Sequence, residues 1–473
     1  MSPAVQTAVV IGGGLAGISA ALALARGGVA VTLLESRQRL GGRAASFTLR
    51  NDRGEELETV DYCQHVGMGC CHNLRQLIDW LGQVDDWQVQ RVLHFFGPQG
   101  TYQRLSAWPV LPAPLHLTPW LLKWPGLRPL DRLCIARGMW AIDRLRDLPA
   151  TQQQIALDWL RSTGQTPRAI ERFWSTIIVS ALGEELSRTS LAAVAKVLQD
   201  GFLRHRDAYH LLVPQRPLGE LFGSRAQQHL QRLGVDVQLA TPVGRLVQRG
   251  GGRWEVHTAG RCFSSQAVVL AVPWHQLSKI DLPGDIPAIA TAADAARQLQ
   301  PSPISGVHTW WDRAWLDVPH AAIVGRLSQW VFPKPNPRVE TGTSHPTAAQ
   351  QPAARPSAAE GFYYQVVISA SRGLRGIAPS ELAGTLHADL GKVFPAVRSA
   401  RLLEIKAVTD PQAVFSMTPA SYEHRPGSQL GPRLVLAGDW TQTGWPATME
   451  GAILSGFTAA RQLSIQQSAL TQR

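Results

Sequence analysis

Ala8-Val9-Val10-Ile11-Gly12-Gly13-Gly14-Leu15-Ala16-Gly17 runs from an apolar stretch straight into a glycine-rich turn. An alanine-rich helical pattern follows from Leu15 to Arg26 and stops at Gly27-Gly28. Val29 to Glu35 then clusters the β-formers Val29, Val31, Thr32, Leu33 and Leu34, as a buried parallel strand does. Strand, turn, helix and strand in that order predict a Rossmann-like α/β domain. Gly12, Gly14 and Gly17 have G-x-G-x-x-G spacing. The first permits the tight turn, the second lets backbone approach a pyrophosphate, and the third lets helix touch strand. The helix amino terminus, at Leu15 and Ala16, aims its unpaired N–H groups at the phosphates. Glu35, with Ser36 beside it, closes the second strand about twenty positions on, where a carboxylate accepts hydrogen bonds from a ribose and repels a 2′-phosphate. FAD and NAD fit that arrangement; NADP does not.

A chain of 473 residues is too long for one hydrophobic core, so two domains are expected. Its 45% hydrophobic and 17% charged residues exclude a disordered or collagen-like chain. The formal charge of +11 raises the question of a nucleic-acid partner, but no helix-turn-helix, zinc-finger or RNA-binding signature is present. An anionic membrane surface or a solvated basic exterior is left. The five cysteines are odd in number, and Cys70 and Cys71 are adjacent, which suits neither a disulfide framework nor a metal site. A reducing compartment follows. Met1 to Gln6 lack the basic and apolar regions of a signal peptide, so the expected location is cytoplasmic.

From Cys71 to Leu212 the pattern is mostly helical and tryptophan-rich, with Leu74, Leu77, Ile78 and Leu81 at helical spacing. Strand patterns return at Leu233 to Leu239, Trp254 to Thr258 and Ala267 to Val272, the last ended by Pro273. Phe362 to Ser369 reads as a strand, Leu382 to Val393 as a helix, and Arg433 to Ala437 as a last buried strand. This predicts a discontinuous dinucleotide-binding domain of residues 1–75, 213–275 and 425–473. Residues 76–212 and 276–424 then form an inserted α+β domain facing substrate and membrane. Residues 333–360, rich in Pro, Ala, Ser and Thr, read as a flexible insertion.

Leu40-Gly41-Gly42-Arg43 resembles the second glycine-plus-arginine segment of the flavin amine oxidase and carotenoid desaturase superfamily. That resemblance implies a glutathione-reductase-type FAD domain, selects FAD over NAD, and sets Arg43 near the phosphates. Thr241-Pro242-Val243 is similar to the superfamily's adenine-facing segment, with the Val243 backbone as the contact. At the other end, Leu436-Ala437-Gly438-Asp439-Trp440 and the run from Gly444 to Ala452 resemble its last cofactor segment. Gly438 and Asp439 would then meet the ribityl chain or pyrophosphate, and the backbone at Thr448 and Met449 would face the flavin carbonyl edge. A helix amino terminus there stabilises an anionic reduced flavin. No cysteine follows Cys262, so the FAD is expected to be non-covalent.

Asp61-Tyr62-Cys63-Gln64-His65-Val66-Gly67, continuing Gly69-Cys70-Cys71-His72-Asn73-Leu74, resembles the signature of hydroxysqualene dehydroxylases. These are the squalene-associated FAD-dependent desaturases of bacterial hopanoid pathways. Tyr62 and Cys63 stand where that family has asparagine and glycine. The resemblance implies reductive removal of an allylic hydroxyl, with hydride from reduced flavin N5, loss of water and formation of squalene. An alcohol leaves poorly, which makes Asp61 and His65 the candidate catalytic acids. Lys406 reads as a solvated lysine. Carotenoid desaturases and flavin amine oxidases share every cofactor motif yet oxidise their substrates, and a prenyl-binding escort of the same fold lacks flavin. No motif identifies the electron donor or the oligomeric state.

An apolar triterpenoid substrate has about 30 carbons, and at roughly 0.8 kcal/mol per buried CH₂ its free passage through water is negligible. Loading from lipid is expected. Trp108 to Leu115 and Trp120 to Pro125 are apolar and tryptophan-rich, but their prolines forbid a bilayer-spanning helix. With Lys123 and Arg128 close by, this stretch is the candidate for peripheral contact with the inner face of the cell membrane. A proline-rich lid packed on the core is the alternative.

Overall fold

Val9, Val10 and Ile11 carry no polar side chain, so a strand built from them needs cover on both faces. The computed structural model, which describes residues 5–50, 56–146, 149–334 and 361–471, supplies that cover. Thr7–Ile11 pairs in parallel with Ala30–Leu34 on one side and Ala267–Leu270 on the other. The sheet reaches six strands through Asp236–Gln238 at one edge and through Leu434–Leu436 and the antiparallel Gln429–Gly431 at the other.

Side chains alternate across this sheet. Val10, Leu33, Val269 and Val435 pack in one cluster with Ile18 and Leu22 of helix Leu15–Arg26 and Ile453 of helix Met449–Thr471. Val9, Ile11, Leu34, Val268 and Leu270 pack on the opposite side with Leu246, Trp254 and Val256. Those three belong to a small antiparallel sheet of Val243–Arg249, Arg253–Thr258 and Cys262–Ser265. The first and last helices are in backbone contact. A Cβ on Gly456 would lie 2.2 Å from the Ala16 carbonyl oxygen, and the Ser19 hydroxyl donates to Ile453 O at 3.2 Å.

A second, seven-stranded sheet runs in the order Leu402–Phe415, Pro301–Trp311, Phe362–Ser369, Trp330–Pro333, Ala321–Ile323, Leu93–Phe96 and Tyr102–Leu105. Leu382, Leu386 and Leu390 of helix Pro379–Val393 close one face against Val307, Val366 and Ile368. Helices Pro129–Arg144, Ser175–Leu182 and Leu191–Leu198 contribute Ile135, Ile142, Ile178, Leu191 and Leu198 to the large cluster that also holds Trp120 and Trp124.

Several sequence expectations need correction. The mostly helical reading from Cys71 to Leu212 misses strands at Trp87–Gln90, Leu93–Phe96, Tyr102–Leu105 and Leu211–Pro214. Four residues span too little sequence to establish a period of two, and Leu93–Phe96 is completed by a distant parallel partner, Ala321–Ile323. The strands expected at Leu233 to Leu239 and Arg433 to Ala437 shrink to Asp236–Gln238 and Leu434–Leu436. Pro333 belongs to strand Trp330–Pro333, opposite Tyr364, rather than to an insertion. Residues 335–360 of the proposed flexible segment lie outside the described residues.

Candidate cofactor and active site

The glycine turn leaves no room for side chains where the elements meet. Gly12, at φ +108°, donates its N–H to Leu34 O at 2.8 Å, and a Cβ there would meet Ala271 O at 2.4 Å. A Cβ on Gly17 would lie 1.7 Å from Gly12 O, so helix and turn touch through backbone alone. Gly14 is the N-cap of helix Leu15–Arg26. No side chain caps that helix and no acidic residue stands in its first turn. Its amino-terminal N–H groups and the positive end of its dipole therefore remain available to an anion. The bare glycine cradle and uncapped helix fit a diphosphate.

Glu35 is buried and fastens this turn to the second strand. One oxygen accepts from Gly13 N–H at 2.6 Å, and the other from Arg37 N–H at 2.8 Å and the Ser36 hydroxyl at 3.1 Å. The backbone N–H of Thr241 donates to Glu35 O at 2.8 Å, which brings Val243, at the head of its strand, toward the same corner.

A second bare turn lies against the first. Gly41 donates to Gly13 O at 2.8 Å, and a Cβ on Gly42 would lie 2.9 Å from Gly14 Cα. Both glycines have positive φ, at +98° and +60°. The turn ends in Arg43, whose guanidinium donates to Asp439 Oδ2 at 2.6 Å and to Ala413 O at 2.7 Å and lies over the Trp274 ring. Asp439 is almost fully buried, and Arg425 supports it by donating to its backbone oxygen at 2.9 Å. Gly438 N–H donates to the Ser455 hydroxyl at 2.8 Å, and the buried Trp440 indole donates to Val272 O at 2.9 Å. The Thr448 hydroxyl accepts from Gly451 N–H at 3.1 Å, and the last helix begins at Met449. Residues 12–17, 35–43 and 438–449 thus converge from opposite parts of the chain.

The segment that begins at Asp61 leaves the strand pair Ser46–Arg50 and Glu56–Asp61, passes strand Pro301–Trp311 and reaches Gly67–Met68, which pairs with Leu211–Pro214. Asp61 ends strand Glu56–Asp61, and its Oδ1 accepts from the Ser46 hydroxyl at 2.6 Å and Leu218 N–H at 2.8 Å. Burial pushes its carboxyl up to about 6, against the lowering effect of those two bonds and Lys334. Burial also pushes the Cys63 thiol up to about 12. His65 bonds Cys63 O through Nδ1 at 2.8 Å. Burial lowers its pKa despite that bond, and the charge of Arg43 lowers it further. The backbone at Tyr62 passes so close to strand Pro301–Trp311 that a Cβ on Gly306 would lie 2.3 Å from Tyr62 O.

Two residues of this region carry no sequence signal for their roles. His308 is fully buried, bonds the Tyr363 hydroxyl at 2.7 Å, and is held near 4 chiefly by desolvation. Glu450 accepts from the N–H groups of Asn73 at 3.0 Å and Leu74 at 2.8 Å, and so caps helix His72–Trp80 from the far end of the chain. The run from Gly444 to Ala452 contains Glu450 but says nothing of its partner. Lys406 is exposed, with Nζ 4.9 Å from the Phe47 ring centroid, and it pairs in register with His308.

The family model described as flavin containing amine oxidoreductase matches residues 15–464. The chain is 25% identical to the 15-cis-phytoene desaturase of Synechococcus elongatus, over 98% of this chain and 97% of that protein. It is 24% identical to the hydroxysqualene dehydroxylase of Sinorhizobium fredii, over 95% of this chain and 96% of that protein. Among solved structures, cyclohexylamine oxidase from Brevibacterium oxydans has the same fold, with a TM-score of 0.67 and 18% identity over 100% of both chains.

The raised pKa of Asp61 has a consequence for stability. A carboxyl shifted from 3.8 to about 6 on folding favours the folded chain while it is protonated. That contribution is whole below pH 3.8 and is lost as the pH rises through about 6. Asp61→Asn, whose amide oxygen still accepts from Leu218, is expected to match the parent near pH 4 and to exceed it at pH 8 by about 1–3 kcal/mol in chemical denaturation. Equal destabilisation at both pH values would contradict this.

Proposed function

The chain belongs to the family of flavin-containing amine oxidoreductases and is an FAD-dependent oxidoreductase, and from that premise we propose that it reduces hydroxysqualene to squalene, releasing the allylic hydroxyl as water. A hydroxysqualene dehydroxylase and a phytoene desaturase are similar to it to nearly the same degree, so the choice between them rests on chemistry. Desaturation removes hydrogens from a hydrocarbon and has no poor oxygen leaving group to protonate. Dehydroxylation does, and it needs an acid at the carbinol. The observation that carries this reading is the Asp61 carboxyl, raised to about 6, on the segment that leads to His65, a ring close enough to Arg43 to feel its charge. In the proposal Asp61 gives the proton and the neutral His65 orients the hydroxyl.

Bound FAD supplies the redox chemistry, as a hydride donor when reduced. The chain's part is to hold it. Gly12, Gly14, Leu15, Ala16 and Gly17 would offer backbone to the diphosphate, while Glu35 and Ser36 would take the adenosine ribose. Gly41 and Gly42 would allow close approach, and Arg43 would neutralise phosphate charge. Val243 would meet the adenine, Gly438 and Asp439 the ribityl chain or pyrophosphate, and the backbone at Thr448 and Met449 the flavin carbonyl edge. With no cysteine after Cys262 to form a thioether, the FAD would be held by these contacts.

An apolar substrate calls for contact with lipid, and we assign that contact to an exposed face beside the helical layer. On helix Pro129–Arg144, Leu130, Leu133, Arg137, Trp140 and Arg144 recur at i, i+3, i+7, i+10 and i+14 and share one side, while Ile135, Gly138 and Ile142 are buried on the other. Trp140 is 63% exposed and lies under the Arg144 guanidinium. Trp108, Val110, Leu115 and Leu122 of the neighbouring proline-rich stretch are also exposed, whereas its Trp120 and Trp124 are buried. Tryptophan, leucine and arginine on one face suit an anionic headgroup boundary. No helix among the described residues is long and apolar enough to cross a membrane.

Two experiments test these readings. Photoreduced enzyme given hydroxysqualene under argon is expected to reoxidise and yield squalene. A reduced flavin that is unchanged by hydroxysqualene, together with reduction of the oxidised enzyme by phytoene, would establish the desaturase instead. Vesicles containing anionic lipid are expected to retain the protein, and Trp140→Ser with Leu133→Ser to release it. Equal sedimentation of parent and variant would contradict the membrane assignment.

A further inference from the structure

Glu255, His257 and Cys262 lie on one exposed face of the small antiparallel sheet, and we propose that they form a binding site for a borderline-soft divalent cation of the zinc type. The sequence spacing does not announce it, and the cysteine pattern reads as unsuited to metal. Strand register creates the site. Glu255 and His257 are two apart on strand Arg253–Thr258, so they share a face, while Trp254 and Val256 between and beside them are buried below. Cys262 stands directly opposite His257 on the neighbouring strand. Cross-strand neighbours of this kind have Cβ atoms about 5 Å apart, close enough for both side chains to reach one ion.

Two of the three ligand-atom separations lie within about 0.3 Å of tetrahedral coordination. Zn–S bonds of about 2.3 Å and Zn–N and Zn–O bonds of about 2.0–2.1 Å place ligand atoms about 3.6 Å apart for S···N and about 3.3 Å for N···O. Here Cys262 Sγ is 3.9 Å from His257 Nε2, and His257 Nε2 is 3.2 Å from Glu255 Oε2. All three ligand atoms fall within 4.8 Å of one another. The ion takes the place of the proton that His257 Nε2 shares with the carboxylate, and it binds the thiolate after loss of the Cys262 proton. A water completes the tetrahedron. Thiolate, imidazole and carboxylate together favour zinc over the hard cations magnesium and calcium.

Two arginines bear on the site. Arg249 contacts Glu255 Oε2 at 3.0 Å and competes for the same oxygen, whereas Arg245, opposite His257, is engaged by Asp281 at 3.1 Å. Arg249 is more than half exposed and free to swing to the other carboxylate oxygen. The bound ion would tie the two strands of the hairpin together and mask Cys262, the exposed one among the described cysteines.

Equilibrium dialysis of the FAD-loaded, full-length protein against Zn²⁺, with metal counted by atomic emission, tests this. About one zinc per chain is expected. Cys262→Ser and His257→Gln are each expected to weaken binding about tenfold or more, and Arg249→Gln to tighten it. Unchanged flavin content and melting temperature in each variant establish that the fold is intact. Zinc retention no greater than that of the Cys262→Ser chain overturns the proposal. Stoichiometric zinc that persists in the Cys262→Ser, His257→Gln double variant overturns it as well, by placing the metal on other ligands such as Cys70 and Cys71.

Discussion

The structure depends on two turns of bare backbone pressed against each other. Gly17 touches Gly12 and Gly42 touches Gly14 at distances that exclude a Cβ, and Gly41 N–H reaches Gly13 O at 2.8 Å. Because no side chain intervenes, the helix amino end at Leu15 comes within backbone reach of the segment that carries Arg43. Everything proposed for the cofactor follows from that closeness. In the proposal the diphosphate would have a positive helix end to meet, with the Arg43 guanidinium one residue beyond the second turn.

Buried charge then binds the chain ends into the same unit. Arg43 crosses to Asp439, Glu35 holds both the glycine turn and the start of its own loop, and Glu450 caps a helix made of residues 72–80. A carboxylate that accepts backbone N–H groups offsets part of its desolvation cost through those bonds, and removing either partner leaves a buried group unpaired. The packing of Gly456 on Ala16 repeats the glycine logic between the first and last helices. Asp61 differs from these carboxylates. Its burial outweighs its two bonds and raises its carboxyl to about 6, which is the ground on which the proposal gives it the proton.

What was legible in the sequence is what is local. The strand, turn and helix around Gly12 to Gly17 and the second strand ending at Glu35 are encoded within about 30 consecutive residues, and they stand as expected. The segment at 438–449 was legible only through family resemblance, since nothing in its composition specifies Arg43 as a partner. The pairing of Glu450 with Asn73 and Leu74, the burial of His308 and the cross-strand triad of Glu255, His257 and Cys262 depend on register and on contacts between distant residues. No periodicity encodes these. The short strands between residues 87 and 105 were hidden for the same reason, because the hydrogen bonds that complete Leu93–Phe96 come partly from Ala321–Ile323.

The central claim is that one FAD is clasped, without a covalent bond, between the opening glycine turns and the closing helix. Its most direct measurement is the flavin content of protein purified from a riboflavin-replete host, read by absorbance before and after acid precipitation. The account predicts a yellow protein with close to one FAD per chain, all of it passing into the supernatant. A colourless protein that takes up no FAD on titration, or flavin that stays with the precipitate, would contradict it.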